Sequence, residues 1–300
     1  MHKPILLLAF LTLVSLFQNP LFSYEYPVAQ DEDIIILALN HPQMESLYSR
    51  QNYSIAESPR GVCYGIDRVN YTLLTKVQFE PGEQESEDKL VLKLLLAFLG
   101  LSQTISGYDS TQDFIQKMEE NWDSESNPLK RTIEILQLSQ DHKDIANQVL
   151  YRYHLILKNG EQSVVHTEAK TFSKYLLKGI PLHIAIFNPN FGSHALTIVG
   201  LRQNVLHPTP MSQFYVLDSN LPDHLQILSI NKKGQWKYAA WENFNAQTVS
   251  LMWKEPSESE VETAQATFRP HFLLGRTSAT LLAYILQGNP HAFPFFLSKR

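Results

Sequence analysis

Apolar residues along this chain recur first at helical spacing and later at strand spacing. Val62, Ile66, Val69 and Leu73 fall at i, i+4, i+7 and i+11, one stripe of a 3.6-residue period, directly after Pro59-Arg-Gly61. A helix is expected to start there, just past a turn set by Pro and Gly. Leu90–Leu101 (LVLKLLLAFLGL) is apolar nearly all round. At about a dozen residues it reads as a buried core helix, too short for a membrane span. Two more helices are expected around Thr111–Trp122 and Pro128–Leu138. The acidic stretch Glu80–Asp88 reads as a solvated connection without chemistry.

The period changes further on. Val149–Leu157 (VLYRYHLIL) alternates, Asn159-Gly160 is a hairpin signal, and Ser163–Thr167 returns as a second strand. A short helix, Phe172–Lys178, then ends at Gly179 and leads through Pro181 into Leu182–Phe187. Apolar strands follow at His194–Gly200, Phe214–Asp218, Leu225–Ile230 and Gln235–Ala239, separated by turns. Helices first and antiparallel strands afterwards indicate an α+β fold. The expected layout is a domain over 55–250, with a helical lobe over about 55–145 and a β lobe over about 149–245. Before it lies an extension, 24–54, holding the apolar run Asp33–Leu39. After it, 251–300 forms a tail with a linker, Glu255–Glu260, and a helix, Thr277–Leu286.

Charge narrows the partners. The chain of 300 residues carries a formal net charge of −5 with no basic run, so there is no electrostatic footprint for nucleic acid. Met1-His-Lys3, the uncharged apolar run Pro4–Phe17 (PILLLAFLTLVSLF) and polar Gln18–Ser23 have the layout of a secretory signal peptide over 1–23. An uncleaved anchor is the alternative, though the run falls short of the roughly 20 residues a span needs. A periplasmic or secreted protein is expected, with no stable membrane association after cleavage.

Export makes the single cysteine, Cys63, informative. Exported proteins that use cysteine for stability use it in pairs, so this thiol is either buried and inert or reactive. A reactive thiol must become a thiolate, which a helix N-terminus and a nearby imidazolium both favour. Cys63 lies in the first turn of its expected helix, flanked by Gly61 and Gly65, which allow close approach. Among eleven histidines, His194 opens an apolar strand after a Gly-Ser turn, at a sheet rim. Asp218 ends the Phe214–Leu217 strand, where it serves as a turn former or as an orienting partner for His194.

The order "SPRGVCYGI" (Ser58–Ile66), "GSHALTIVG" (Gly192–Gly200) and "FYVLDSN" (Phe214–Asn220) resembles the papain-like cysteine peptidases, in their compact bacterial branch of YopT-type effector and bacteriocin-leader-type enzymes. The lead-in "LLKGIPLHIAI" (Leu176–Ile186) is similar to the leader-type branch. The resemblance covers about residues 55–245. It implies Cys63 as nucleophile, His194 as base and acid, Asp218 as its orienting group, and a helical lobe packed on an antiparallel β lobe. It further implies hydrolysis of a peptide or isopeptide bond in a protein substrate, including a host protein if this is a secreted effector.

Such enzymes commonly carry a Gln or Asn a few residues before the cysteine to donate to the oxyanion. None occurs in Glu57–Val62, which leaves Ser58, or Gln51 and Asn52 if the loop folds back, as donor candidates. Ser219 also stands where the family often has Pro. The other readings are an inactive peptide-binding scaffold, a transglutaminase-like acyltransferase and a cell-wall endopeptidase. Asp218, Asp223 and His224 lack zinc-motif spacing, and no phosphate-binding glycine motif occurs, so neither a metal nor a nucleotide cofactor is expected. Trp236, Tyr238 and Trp241 read most simply as strand and core packing, with a substrate groove as the alternative.

Overall fold

A computed structural model describes residues 33–38, 51–139, 142–188, 192–204, 213–222, 224–244, 248–253, 255–256 and 271–274. Residues 1–23, the expected helix Thr277–Leu286 and residues 257–260 of the linker lie outside these. The fold is α+β with one large antiparallel sheet.

Helix α1 (Cys63–Thr75) begins at the expected place, and its stripe Val62, Ile66, Val69 and Leu73 is buried throughout. Strand β2 (Val77–Glu80) follows, then α2 (Glu87–Phe98) and β3 (Gln103–Ser106), which pairs with β2 in parallel. This small second sheet was not expected. Helix α2 buries only one face, Leu90, Val91, Leu94 and Ala97, and leaves Leu92 exposed. It is therefore not the fully enclosed core helix that its composition suggested. Helices α3 (Thr111–Glu120) and α4 (Pro128–Leu138) match their expected positions. Both carry side-chain caps: Asp113 N–H donates to Ser110, and Lys130 N–H donates to Asn127, with Pro128 in the first turn.

The hairpin expected over 149–167 does not form. The segment is two helices, α5 (His142–Asn159) and α6 (Glu161–Leu176), reversing at Gly160, whose φ of 81° suits glycine. The supposed short helix at 172 is the end of α6. Alternation misled because Leu150 and Ile156 interrupt it, and the buried position is Arg152, at the spacing of a helical face with half-buried Leu155 and Ile156. Arg152 holds the two helices together. Its Nε donates to Glu168 Oε1 at 2.8 Å and its Nη2 to Oε2 at 3.2 Å, while Trp236 Nε1 donates to Oε2 at 2.7 Å. Glu168→Ala would strand a buried guanidinium and an indole N–H, so a loss of about 3–5 kcal/mol is expected. The urea midpoint checks this; an unchanged midpoint would mean the buried pair is not formed.

Strands β4 (Leu182–Asn188), β5 (Gly192–Asn204), β6 (Gln213–Leu217), β7 (Gln226–Ile230) and β8 (Trp236–Tyr238) form the antiparallel succession foreseen. Strand β9 (Ser250–Trp253) pairs with the free side of β4. A backbone bond from Val249 N–H to the Trp236 carbonyl, 2.9 Å, joins β8 back towards β9 and closes the sheet on itself at one point. The sheet also extends beyond 55–250. Strand β1 (Asp33–Leu37) lies between β5 and β10 (His271–Leu274), so the expected extension and tail each contribute a strand. Ile34 to Leu37 are all buried, which explains an apolar run with no alternation.

Candidate active site

The start of α1 packs against β5, and this places Cys63 beside His194. His194 lies near the beginning of β5, opposite Ile186 of β4, two residues after Gly192 turns the chain at φ 86°. Its ring is buried, 4 % exposed. Nε2 faces Asp218 Oδ1 at 2.5 Å, which leaves the other edge of the ring for the Cys63 sulfur. Asp218 follows β6 and is equally buried. Its Oδ1 also accepts the Asn220 N–H at 2.7 Å, and its Oδ2 accepts the Tyr238 hydroxyl. Asp218 is thus both the turn former and the partner of His194. The two readings of that residue describe one side chain.

The electrostatics follow from these contacts. Burial pushes the Cys63 thiol up, but the hydrogen bond and charge of His194, with an N–H from Ala195, outweigh it and bring the pKa below its ordinary value. Burial opposes charge on His194 as well, yet Asp218 and the thiolate raise it to about 10. Asp218 is desolvated too, but His194, Tyr238 and the Asn220 N–H hold it below the usual carboxylate range. All three shifts point the same way: a thiolate, an imidazolium and a carboxylate in line.

Asn52 reaches the site because the loop before α1 folds back. Its backbone N–H donates to the Ser219 carbonyl at 2.7 Å, and Val62 N–H donates to the Tyr53 carbonyl at 3.0 Å. The Asn52 side chain then bridges the two sides of the site. Its Oδ1 accepts from Val62 N–H at 2.8 Å, and its Nδ2 donates to Asn220 Oδ1 at 2.8 Å. This fixes the amide and leaves one Nδ2 hydrogen uncommitted to either partner. The Cys63 N–H, first of its helix, has no intrahelical acceptor. Ser58 donates its hydroxyl to the Gly61 carbonyl at 2.7 Å, and Gln51 is exposed on the loop. Of the three donor candidates, only Asn52 is woven into the site.

Gly61 and Gly65 do separate jobs. At Gly61 φ is 108°, and a Cβ there would stand 2.4 Å from Asn52 Nδ2. At Gly65 a Cβ would stand 2.1 Å from the Ile133 carbonyl oxygen of α4. Both close approaches are to the protein itself.

Tyr238 and Trp241 pack as expected, Tyr238 fully buried and Trp241 against the core, and both also border the site. Trp241, in the 3₁₀ turn Ala239–Phe244, sets its ring 6.4 Å from that of His194 and 5.9 Å from that of Tyr238. Nothing in their spacing marks them, because β7 lies between Asp218 and Tyr238, and β7 and β8 lie between Asp218 and Trp241. Trp236 is core, as expected. Among the described residues no group of three or more His, Cys, Asp or Glu is placed to hold a metal, and His224 is exposed, while Asp223 lies outside the described residues. No helix among the described residues is long and apolar enough to cross a membrane. A scan of protein-family models, a search of curated proteins and a search of solved structures each find no significant match to this chain.

Proposed function

We propose that this protein is an exported papain-like thiol hydrolase that cleaves a peptide or isopeptide bond through an acyl-enzyme on Cys63. The observation that carries the proposal is the line Cys63–His194–Asp218, a half-buried sulfur beside a buried imidazole and carboxylate, assembled from one helix start and two strands far from it in sequence. The helical start, the sheet that nearly closes and the Cys-His-Asp chain order also fit the resemblance to that family.

In this reading the Cys63 thiolate attacks the substrate carbonyl carbon, and the carbonyl oxygen becomes an oxyanion. The Cys63 N–H and the remaining Asn52 Nδ2 hydrogen are the donors nearest that position. His194 gives its proton to the leaving nitrogen, the C–N bond breaks, and a thioester remains. Water then loses a proton to His194, adds to the thioester, and expels the thiolate. Asp218 keeps the ring oriented and its positive form stable throughout. The inactive-binder reading rested on the missing amide before Cys63, and Asn52 supplies one. Action on a protein outside the producing cell follows from the expected signal peptide and the effector-type resemblance alone.

The test is the rate of iodoacetamide alkylation of Cys63 in the 300-residue chain against pH. The reactive form is deprotonated, so the rate climbs as pH rises through the thiol's pKa. With that pKa lowered, the climb is expected below the ordinary thiol range, followed by a plateau up to the region near pH 10 where His194 loses its proton. An ordinary thiol climbs instead around pH 8.5. That outcome, or a thiol that never reacts, would sink the hydrolase reading.

A further inference from the structure

A second imidazole–carboxylate pair lies one helical turn beyond the nucleophile. Asp67 follows Cys63 at i+4, the spacing that puts both side chains on one face of α1. It is 5 % exposed, and its charge opposes the neighbouring thiolate. A buried carboxylate at this point works against the nucleophile, so its contacts must serve something that outweighs the penalty.

Those contacts run to the sheet. Asp67 Oδ2 faces His183 Nδ1 of β4, and Asp67 Oδ1 accepts the Thr197 hydroxyl of β5. His183 and Thr197 are cross-strand partners in the β4–β5 register, and His194 lies on the same strand as Thr197. The rings of Tyr64 and Tyr71, from α1, close on His183 at 5.6 and 6.3 Å between centroids. A single carboxylate therefore gathers two adjacent strands and locks α1 above them, three residues along β5 from the imidazole that must meet the sulfur.

We propose that Asp67 is a positioning residue, tying the nucleophile's helix to β4 and β5 through His183 and Thr197 and so fixing where Cys63 meets His194. It rests on the hydrolase reading of the site and touches neither substrate nor the reacting bond. Two effects separate cleanly by substitution. Asp67→Asn keeps the shape and the acceptor oxygen but removes the negative charge facing the sulfur. Thr197→Val keeps the charge and removes one of its two ties to the sheet. The groups whose charge bears on the sulfur are then His194 from β5 and Asp67 from α1.

The experiment is the pH profile of Cys63 alkylation in the full chain, read beside the melting temperature. Asp67→Asn is expected to move the climb to lower pH by about one unit, because a like charge is gone. Thr197→Val is expected to move it to higher pH as the sulfur drifts from His194. Thr197→Ser, which keeps the hydroxyl, should follow the original chain. A wild-type profile retained by Thr197→Val overturns the proposal by itself, as do both variants shifting in the same direction. If the original chain itself climbs only near pH 8.5, the hydrolase reading fails. If it climbs below the ordinary thiol range and Thr197→Val matches it, only the positioning role fails.

Discussion

His194→Ala is expected to slow alkylation of Cys63 at pH 6 by about tenfold, and to react faster than the original chain near pH 9, where both thiols are largely ionised and the thiolate of higher pKa is the better nucleophile. Without the imidazolium the thiol reverts towards pKa 8.5, so under about one per cent is thiolate at pH 6. Pairing raises the thiolate fraction at pH 6, but a thiolate of lower pKa is intrinsically less nucleophilic, and this takes back a good part. Substrate turnover should fall further, by about 10²–10⁴-fold, because His194 also delivers the proton that releases the leaving nitrogen. Asp218 would be left buried beside Tyr238 and the Asn220 N–H, which still satisfy it. The folded chain should therefore survive the change, and a circular-dichroism melt run on the same sample checks it. Equal alkylation rates at pH 6 in the two proteins would mean that His194 does not activate the thiol.

The second large effect is structural. Gly65→Ala is expected to destabilise the protein by about 3 kcal/mol, measured as a fall in the urea midpoint at unchanged slope. Helix propensity alone argues for the opposite sign, since alanine inside a helix is favoured over glycine by about 1 kcal/mol. The contact decides. A Cβ on Gly65 would stand 2.1 Å from the Ile133 carbonyl oxygen and 3.2 Å from the Gln137 nitrogen, all backbone of α4 and unable to swing aside. Helix α1 would have to lift off α4, breaking the bond from Gly65 N–H to Gln137 Oε1 at 3.1 Å. Since Cys63 sits two residues earlier, its alkylation at pH 6 should slow together with the loss of stability. A raised midpoint would show that the two helices do not approach this closely.

Much of this architecture is local and therefore readable. Stripes such as Val62–Leu73 form helices wherever they lie, because one face must leave water. The Asn127-Pro128 start of α4 and the β4 to β8 succession carry their own caps and turns. Cys63 at a helix start and His194 at a strand start likewise follow from the residues around them. The α5–α6 pair was misread because nothing nearby reveals that Arg152 will meet Glu168 sixteen residues on and be covered by Trp236. That buried ion pair selects helical spacing over the apparent alternation.

What the sequence determined by itself was the α+β order, the unpaired thiol at a helix start, and a histidine and an aspartate at strand ends. Only the tertiary structure decided which groups meet. It brought Asn52, ten residues before Val62, against Val62 and Asn220, set Trp241 against His194, and aimed Asp67 at His183 and Thr197. The strands β1 and β10, from the two ends of the chain, pair because the second half of β5 offers an open edge. Periodicity reports which face of a segment shuns water, and is silent about which distant segment will cover it. A reactive site depends on the second kind of information.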